Sequence, residues 1–172
     1  MQIGCTVRIY FCKRNKQLQN PQNTKDMKQS IAYGIEKIGV PCIIIRCKGE
    51  DLFFIVDTGS TDNLLVEYAY DCLAKSYDDV IKNTNETVKV TGVGGVCTGK
   101  RFSFKFSIGR LRFDELFSVL PNSDIYIRLS EKMGKPMCGV LGSKFLKEHQ
   151  IIIDYGNQVL FTKRRQRQTD VT

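Results

Sequence analysis

The sequence predicts a mostly-β fold with one or two short helices, and three patterns indicate it. Residues 101–109, RFSFKFSIG, alternate strictly between apolar and polar, which is typical of a strand with one buried face. Residues 40–47, VPCIIIRC, are β-branched and apolar, and residues 151–161, IIIDYGNQVLF, predict a hairpin around Gly-Asn. With 172 residues, 42% of them hydrophobic, the chain can bury the core of one domain.

The first half of the chain divides into a polar segment, a hairpin, a helical segment and a second pair of strands. Residues 13–30 are rich in Asn, Gln and Lys and are interpreted as a linker or an ordered arm. Residues 40–56 predict a hairpin whose turn contains Gly49. In residues 64–83 apolar positions fall three and four apart, which predicts a surface helix or two short ones. Residues 87–99 predict two strands joined by a glycine-rich tip.

The second half continues with short elements after the alternating strand. Residues 116–121 predict a short strand, and residues 125–137 fit a loop with a short helix. Ser143 is expected to cap a helix made of residues 144–149. The closing hairpin follows that helix directly.

The net charge of +8 belongs to the two ends of the chain. Residues 1–37 contain seven Lys or Arg and two Asp or Glu, and residues 162–172 contain four basic residues and one acidic one. The stretch between them carries equal numbers of both signs. Such charge runs are usually solvated, flexible termini. Contact with nucleic acid or an anionic membrane through KRRQR, residues 163–167, stays open as an alternative.

The cysteine and histidine pattern argues against a metal site or a cofactor. The seven cysteines are scattered without a CxxC pair, and His149 is the single histidine. Scattered cysteines in apolar segments usually serve as small core residues in a reducing compartment, although one or two disulfides stay open. A cysteine nucleophile would need His149, which is expected to lie exposed at a polar helix end. No 18-residue apolar run and no secretory signal is visible, which favours the cytoplasm.

One stretch, FFIVDTGSTDNLL at residues 53–65, is unusual because an apolar run ends abruptly in Asp57. A carboxylate at the end of a buried strand costs several kcal/mol unless it is paired, hydrogen-bonded or protonated. An aspartate that merely forms a turn after a strand is the ordinary explanation. A functional role for Asp57 is favoured by the three residues that follow it and by two other motifs in the chain.

Three motifs together resemble the retropepsin-like branch of the aspartic proteases. Residues 57–60, DTGS, preceded by an apolar run, resemble the catalytic loop of that family. Residues 90–96, VTGVGGV, are similar to its glycine-rich flap, and residues 139–161 resemble its second signature. The resemblance covers residues 38–161, with the motifs in the expected order, and implies a closed or partly open acid-protease barrel.

The resemblance implies an aspartic endopeptidase that acts as a homodimer on a peptide or protein substrate. Only one Asp-Thr-Gly occurs in the chain, whereas the chemistry needs two carboxylates facing each other across a water molecule. Asp57 of a second chain, related by a two-fold axis, is therefore expected to complete the site. No metal or cofactor is needed for this chemistry.

The resemblance also assigns roles to the neighbours of Asp57. Thr58 is expected to hydrogen-bond across the dyad, Gly59 to allow the tight turn, and Ser60 to donate from its hydroxyl to the outer carboxylate oxygen. The residues expected to pack behind the loop are Val140, Leu141 and Gly142, and those of the substrate-binding flap are Thr91, Gly92, Val93, Gly94, Gly95 and Val96.

The predicted organisation is a basic N-terminal arm or linker at residues 1–37, a protease domain at residues 38–161 and a basic tail at residues 162–172. Two alternatives remain beside the enzyme: a non-catalytic binding or dimerisation module with the same fold, and a small β-barrel that binds nucleic acid through its basic ends. The region of residues 110–137 has no counterpart in the resemblance, and the flap lacks a tyrosine.

Overall fold

The computed structural model describes residues 27–92 and 95–162, and for residues 91, 92 and 95 it describes the backbone alone. Ten strands and four short helices lie within these ranges. In chain order the elements are β1 (Lys28–Ser30), α1 (Ala32–Ile38), β2 (Cys42–Cys47), β3 (Glu50–Asp57), β4 (Asn63–Val66), α2 (Glu67–Ser76), β5 (Ile81–Gly92), β6 (Gly95–Ile108), β7 (Leu111–Leu120), α3 (Asp124–Met133), β8 (Met137–Gly142), α4 (Ser143–Glu148), β9 (Ile151–Asp154) and β10 (Val159–Thr162).

Six of the strands close into a barrel, in the order β2-β3-β8-β4-β7-β6. The closure is a single antiparallel contact between β2 and β6, where Arg46 lies opposite Ser107. Strand β5 pairs with β6 outside the barrel and extends it as a long hairpin. The prediction of an all-β barrel is confirmed, although the described residues contain four short helices instead of one or two.

The alternation of apolar residues along the strands separates the barrel interior from its surface. Phe102, Phe104, Phe106 and Ile108 are each at most 4% exposed, so the predicted apolar face of β6 is the core face. Phe117 of β7 meets Phe104 and Phe106 edge to face, a preferred aromatic geometry. The predicted strand therefore lies where its pattern requires.

The N-terminal segment contributes to the folded body. Strand β1 pairs antiparallel with β10, which pairs with β9, and the three form a second small sheet. Met27 and Ile31 flank β1 and are buried in the main hydrophobic core. Residues 27–37 of the predicted arm thus pack on the barrel, while residues 1–26 and the tail at residues 163–172 lie outside the described residues.

One segment differs from its predicted structure. The predicted helical segment begins with strand β4, whose four residues are all buried between β7 and β8. A fully buried strand shows a continuous apolar run, which periodicity alone cannot distinguish from a helix. The residues before β8, predicted to be a loop with a short helix, form helix α3, which is capped by Gly134 at φ +62°. None of the helices in the described ranges is long and apolar enough to cross a membrane.

Candidate active site

Strand β8 lies between β3 and β4, the two strands that the Asp57 loop connects. It runs parallel to β3, with Asp57 opposite Gly142, and antiparallel to β4. Strand β8, which is distant in sequence, thus lies between these two strands, directly beneath the loop. This threading places Asp57 at the rim of the barrel, on a loop held between two paired strands.

The Asp57 carboxylate is exposed and accepts a local hydrogen bond. The backbone N–H of Gly59 donates to its Oδ1 at 2.8 Å, and the N–H of Ser60 donates to the Asp57 carbonyl at 3.3 Å. A Cβ at Gly59 would lie 3.2 Å from Oδ1, so glycine permits this close approach. Thr58 and Gly59 are also exposed, so the whole tip of the loop faces away from the core.

The loop is fastened to the start of α4 through backbone oxygens. The Ser60 carbonyl accepts from the backbone N–H of Ser143 at 2.7 Å and from its hydroxyl at 2.9 Å. The Thr61 carbonyl accepts from the N–H of Lys144 at 3.2 Å. Ser143 is therefore not the helix cap that the sequence predicts; its side chain holds the Asp57 loop instead.

The Ser60 hydroxyl also has a different partner from the one expected. It donates to the carbonyl of Asp62 at 3.0 Å, within its own loop, instead of to the carboxylate of Asp57. The reason is local, since a serine side chain readily bonds backbone groups two residues away in a turn. In this single chain Ser60 therefore shapes the loop.

Asn63 is a site residue that sequence reasoning missed. Its side chain is 7% exposed, accepts from the N–H of Gly142 at 3.0 Å and donates to the carbonyl of Leu116 at 3.3 Å. Because this buried amide is hydrogen-bonded to backbone groups of both neighbouring strands, it fixes the relative position of β4, β7 and β8. The sequence feature that could have indicated this role is the position of Asn63 directly before the apolar run of β4.

Val140, Leu141 and Gly142 occupy three different environments. Leu141 is fully buried in the main core, whereas Val140 joins a second cluster with Leu64 and Val90. A Cβ at Gly142 would lie 2.5 Å from the Asp62 carbonyl oxygen, which leaves room for no side chain there. Leu141 and Gly142 lie opposite Val56 and Asp57 in the ladder of β3 and β8, while Val140 faces the hairpin of β5 and β6.

The predicted flap is the tip of the β5–β6 hairpin. The backbones of Thr91 and Val96 pair, as do those of Gly92 and Gly95, while residues 93 and 94 (Val and Gly) lie outside the described residues. Val90, near the tip, is buried against Leu64 and Val140, with Val88 and Cys97 beside it. Val96 is 66% exposed. The base of the tip thus packs beside the Asp57 loop and leaves an apolar side chain uncovered.

Two other aspartates in the described part of the chain, Asp62 and Asp154, interact with neighbouring side chains. Asp62 faces Arg101 at 3.8 Å, and Asp154 accepts from the backbone and side-chain nitrogens of Asn157 at 2.9 and 2.8 Å. Neither bonds the Asp57 loop through its side chain in the described structure. The described residues contain no group of three or more His, Cys, Asp or Glu that could hold a metal ion.

The cysteines in the described part of the chain form no disulfides, whereas His149 is bound by its neighbours. Five cysteines there are free thiols: Cys42, Cys47, Cys72, Cys97 and Cys138. His149 is partly buried instead of exposed, with Nε2 at 2.7 Å from Glu115 Oε1 and its ring against Phe113 and Phe145. Its imidazole is thus engaged by a carboxylate and an aromatic pair.

Tyr126 of α3 is a second residue near the site that the sequence did not indicate. Burial raises the pKa of its phenol, and the negative charge of Asp57 raises it further, so the two side chains share one electrostatic environment. Tyr126 packs against the same buried clusters as Ile55, which precedes Asp57 by two positions on the same strand. Helix α3 therefore reaches the immediate surroundings of the carboxylate.

Comparison with known proteins finds similarity in solved structures. The chain is similar to a retropepsin-like aspartic protease from Rickettsia conorii, at 16% identity and a TM-score of 0.48, over 80% of this chain and 88% of that one. It is also similar to EIAV protease complexed with the inhibitor HBY-793, at 16% identity and a TM-score of 0.48, over 63% of this chain and 86% of that one. No protein-family model and no curated protein sequence matches the chain.

Proposed function

We propose that the protein is an aspartic endopeptidase whose active site forms between two copies of the chain. The supporting observation is that each chain presents one Asp57, exposed on a loop that β8 and α4 hold in place. An exposed carboxylate on so constrained a loop is a half-site, and a two-fold axis through the loop would supply the other half. Asp62 and Asp154 already have other partners.

The proposed chemistry is proton sharing between the two Asp57 side chains. Two carboxylates about 3 Å apart cannot both ionise, so the pair holds one proton and titrates as a unit. The ionised Asp57 takes a proton from water, whose oxygen attacks the scissile carbonyl carbon. The protonated Asp57 donates to the carbonyl oxygen. The Asp57 that took the proton from water then passes it to the leaving nitrogen as the C–N bond breaks, and a hydroxyl of the tetrahedral intermediate returns a proton to the other Asp57 as the new carboxyl group forms.

The flap and the groove supply binding and exclusion of water. An extended peptide beside the β5–β6 hairpin can pair with backbone groups at the tip, as an added strand does. Val96, exposed in the free chain, would then be covered by substrate. Closure of the tip over the peptide would exclude water from the dyad.

A surface for the second copy is available on the small sheet. In the order β1-β10-β9, strand β9 is an edge, and it carries three consecutive isoleucines at residues 151–153. Ile152 is 38% exposed. An exposed apolar edge strand is a template for pairing with another chain. We propose antiparallel pairing of β9 with β9 of the second copy.

The test is cleavage of a peptide library by wild-type protein and by Asp57→Asn, each at a concentration where light scattering shows a dimer. Asp57→Asn is expected to lose cleavage and keep the wild-type unfolding midpoint, because the carboxylate is exposed. Asp78→Asn, another exposed aspartate, is the matched control and should cleave normally. Undiminished cleavage by Asp57→Asn would remove Asp57 from the mechanism.

The same experiment addresses the non-catalytic alternative. A wild-type dimer that cleaves no library peptide from pH 4 to pH 7 would favour a binding or dimerisation module over the enzyme. The nucleic-acid alternative depends on the basic ends, most of which lie outside the described residues. Tight, salt-dependent binding of a single-stranded oligonucleotide would support it.

A further inference from the structure

Helix α3 covers the outer face of the strand that carries Asp57. Along β3 the side chains alternate, so Phe53, Ile55 and Asp57 share one face while Phe54 and Val56 point into the core. Phe53 packs with Met133 and Met137 at one end of α3, and Tyr126 at the other end packs in the same cluster. The helix therefore runs beside this face of β3 toward Asp57.

Tyr126 contacts two hydrophobic clusters that meet next to Asp57. One is the cluster beneath α3 that contains Phe53, and the other contains Leu64, Val90 and Val140 at the base of the flap. Ile55 is the other residue that borders both. Tyr126 thus stands between the strand with the carboxylate and the hairpin expected to cover substrate.

The position of Tyr126 is set by hydrogen bonds that join α3 to β8 and to α1. The Ser130 hydroxyl donates to the Tyr126 carbonyl at 2.7 Å and accepts from the N–H of Met137 on β8 at 2.9 Å. The Tyr33 hydroxyl of α1 donates to the Met133 carbonyl at 2.6 Å. A helix tied to both neighbours holds its side chains on a rigid base, which is what a selective binding site needs.

The neighbours of Tyr126 on the helix have a different environment. Ile125 and Ile127 are 54% and 53% exposed, whereas Tyr126 is partly buried. The tyrosine is therefore the residue of this turn that faces the Asp57 side. A tyrosine phenol is neutral well below about pH 10, so the ring can lie against an apolar group while its hydroxyl stays a hydrogen-bond donor.

We propose that Tyr126 is a specificity-determining residue: its ring is the wall of the subsite that receives the substrate side chain next to the scissile bond. This inference rests on the proposed function. The wall limits the size of that side chain because the ring packs against both the cluster beneath α3 and the cluster at the base of the flap. A smaller residue at this position would enlarge the subsite.

The test compares cleavage-site profiles of the full-length wild-type dimer, Tyr126→Ala, Tyr126→Phe and Ile127→Ala. The probe is a peptide library made by tryptic digestion of a whole proteome, with cleavage sites read by mass spectrometry. Tyr126→Ala is expected to shift the ratio of kcat/KM for large over small side chains at one position by about tenfold, the usual range for one hydrophobic pocket. Tyr126→Phe should keep the wild-type size preference, and Ile127→Ala the whole profile.

The outcomes separate this inference from the proposed function. A uniform drop in cleavage by Tyr126→Ala, with unchanged ratios, would indicate a structural role alone and overturn the inference. A shift of equal size in Ile127→Ala would overturn it as well. If the wild-type dimer cleaves no peptide, the proposed function and this inference fall together, whereas an active wild type with an unaltered Tyr126→Ala profile contradicts the inference alone.

Discussion

Gly142 lies directly opposite Asp57 in the parallel ladder of β3 and β8, and its N–H is bonded to the buried amide of Asn63. This pairing connects Asp57 to β8, the strand that lies beneath the Asp57 loop. A Cβ at Gly142 would meet the carbonyl oxygens of Asp62 at 2.5 Å and Ser60 at 2.9 Å. The position of Asp57 thus depends on the absence of a side chain at residue 142.

Gly142→Ala is expected to lower the free energy of unfolding by about 1–3 kcal/mol, because the new methyl group must displace backbone atoms of the Asp57 loop. Peptide cleavage should fall further than stability alone explains. Urea unfolding and kcat/KM are the measurements. Gly156→Ala is the control, since its nearest neighbour would lie at 3.4 Å; equal losses in both variants would contradict the prediction.

Asn63→Leu is expected to destabilise the fold by about 1–3 kcal/mol for each group left unpaired. The substitution keeps the same branched shape and number of heavy atoms but removes the partner of the Gly142 N–H and of the Leu116 carbonyl. The unfolding free energy in urea measures the effect. Asn85→Leu, at an exposed position of the β5–β6 hairpin, should stay within about 0.5 kcal/mol of wild type. A neutral Asn63→Leu would mean that the amide does not hold these strands.

Two valines of the β5–β6 hairpin, Val90 and Val96, are expected to respond differently to truncation. Val90→Ala removes buried methyl groups beside Leu64 and Val140 and should cost about 2 kcal/mol of stability. Val96→Ala, at a position 66% exposed, should leave stability unchanged and raise KM, because the side chain is covered only by substrate. Thermal unfolding and steady-state kinetics distinguish them, and a stability loss in Val96→Ala with unchanged KM would contradict the assignment of the flap.

Stability is expected to fall as the pH rises above 9, because buried thiols must stay protonated in the folded state. Burial raises the pKa of Cys42, Cys47 and Cys138 from 9.0 to about 12. A folded-state pKa above the unfolded value means that the folded chain binds more protons between pH 9 and 12. The stability contributed by each thiol is therefore complete below pH 9 and lost through that window.

For Cys138, which is 3% exposed, the slope above pH 9 is roughly 1 kcal/mol per pH unit. Urea unfolding from pH 8 to pH 10 measures it, and Cys138→Ala should have a shallower slope than wild type. Val140→Ala, on the same strand, should lower stability equally at every pH and keep the wild-type slope. A pH-independent wild-type stability over this range would contradict the prediction.

Ile152→Lys is expected to weaken the proposed dimer, since it places a charge on the free edge of β9. Light scattering at micromolar concentration should show about twice 19.6 kDa for wild type and a larger monomer fraction for the variant. Cleavage should be lost at low protein concentration and recovered at high concentration. Ile127→Lys, on the exposed side of α3, is the matched control. An unchanged dimer in Ile152→Lys would exclude this edge.

Local patterns in the sequence were sufficient for several elements. The alternation of β6 predicted its buried face because side chains in a strand point to opposite sides in turn. The Asp-Thr-Gly-Ser tetrapeptide predicted a tight loop after β3, and Gly59 approaches the Asp57 carboxylate there. The hairpin of β9 and β10 followed from its turn residues. Each of these features depends on neighbours within a few residues.

Other features came only from contacts between distant residues. The sequence alone determined a mostly-β chain with a constrained Asp57, since periodicity and turn chemistry are local properties. The tertiary structure decided that β8 fills the gap between β3 and β4, that Ser143 and Asn63 hold the loop, and that α3 brings Tyr126 beside Asp57. Those arrangements depend on contacts between buried side chains and on hydrogen bonds of backbone groups that are far apart in the sequence. Local periodicity contains no information about such contacts.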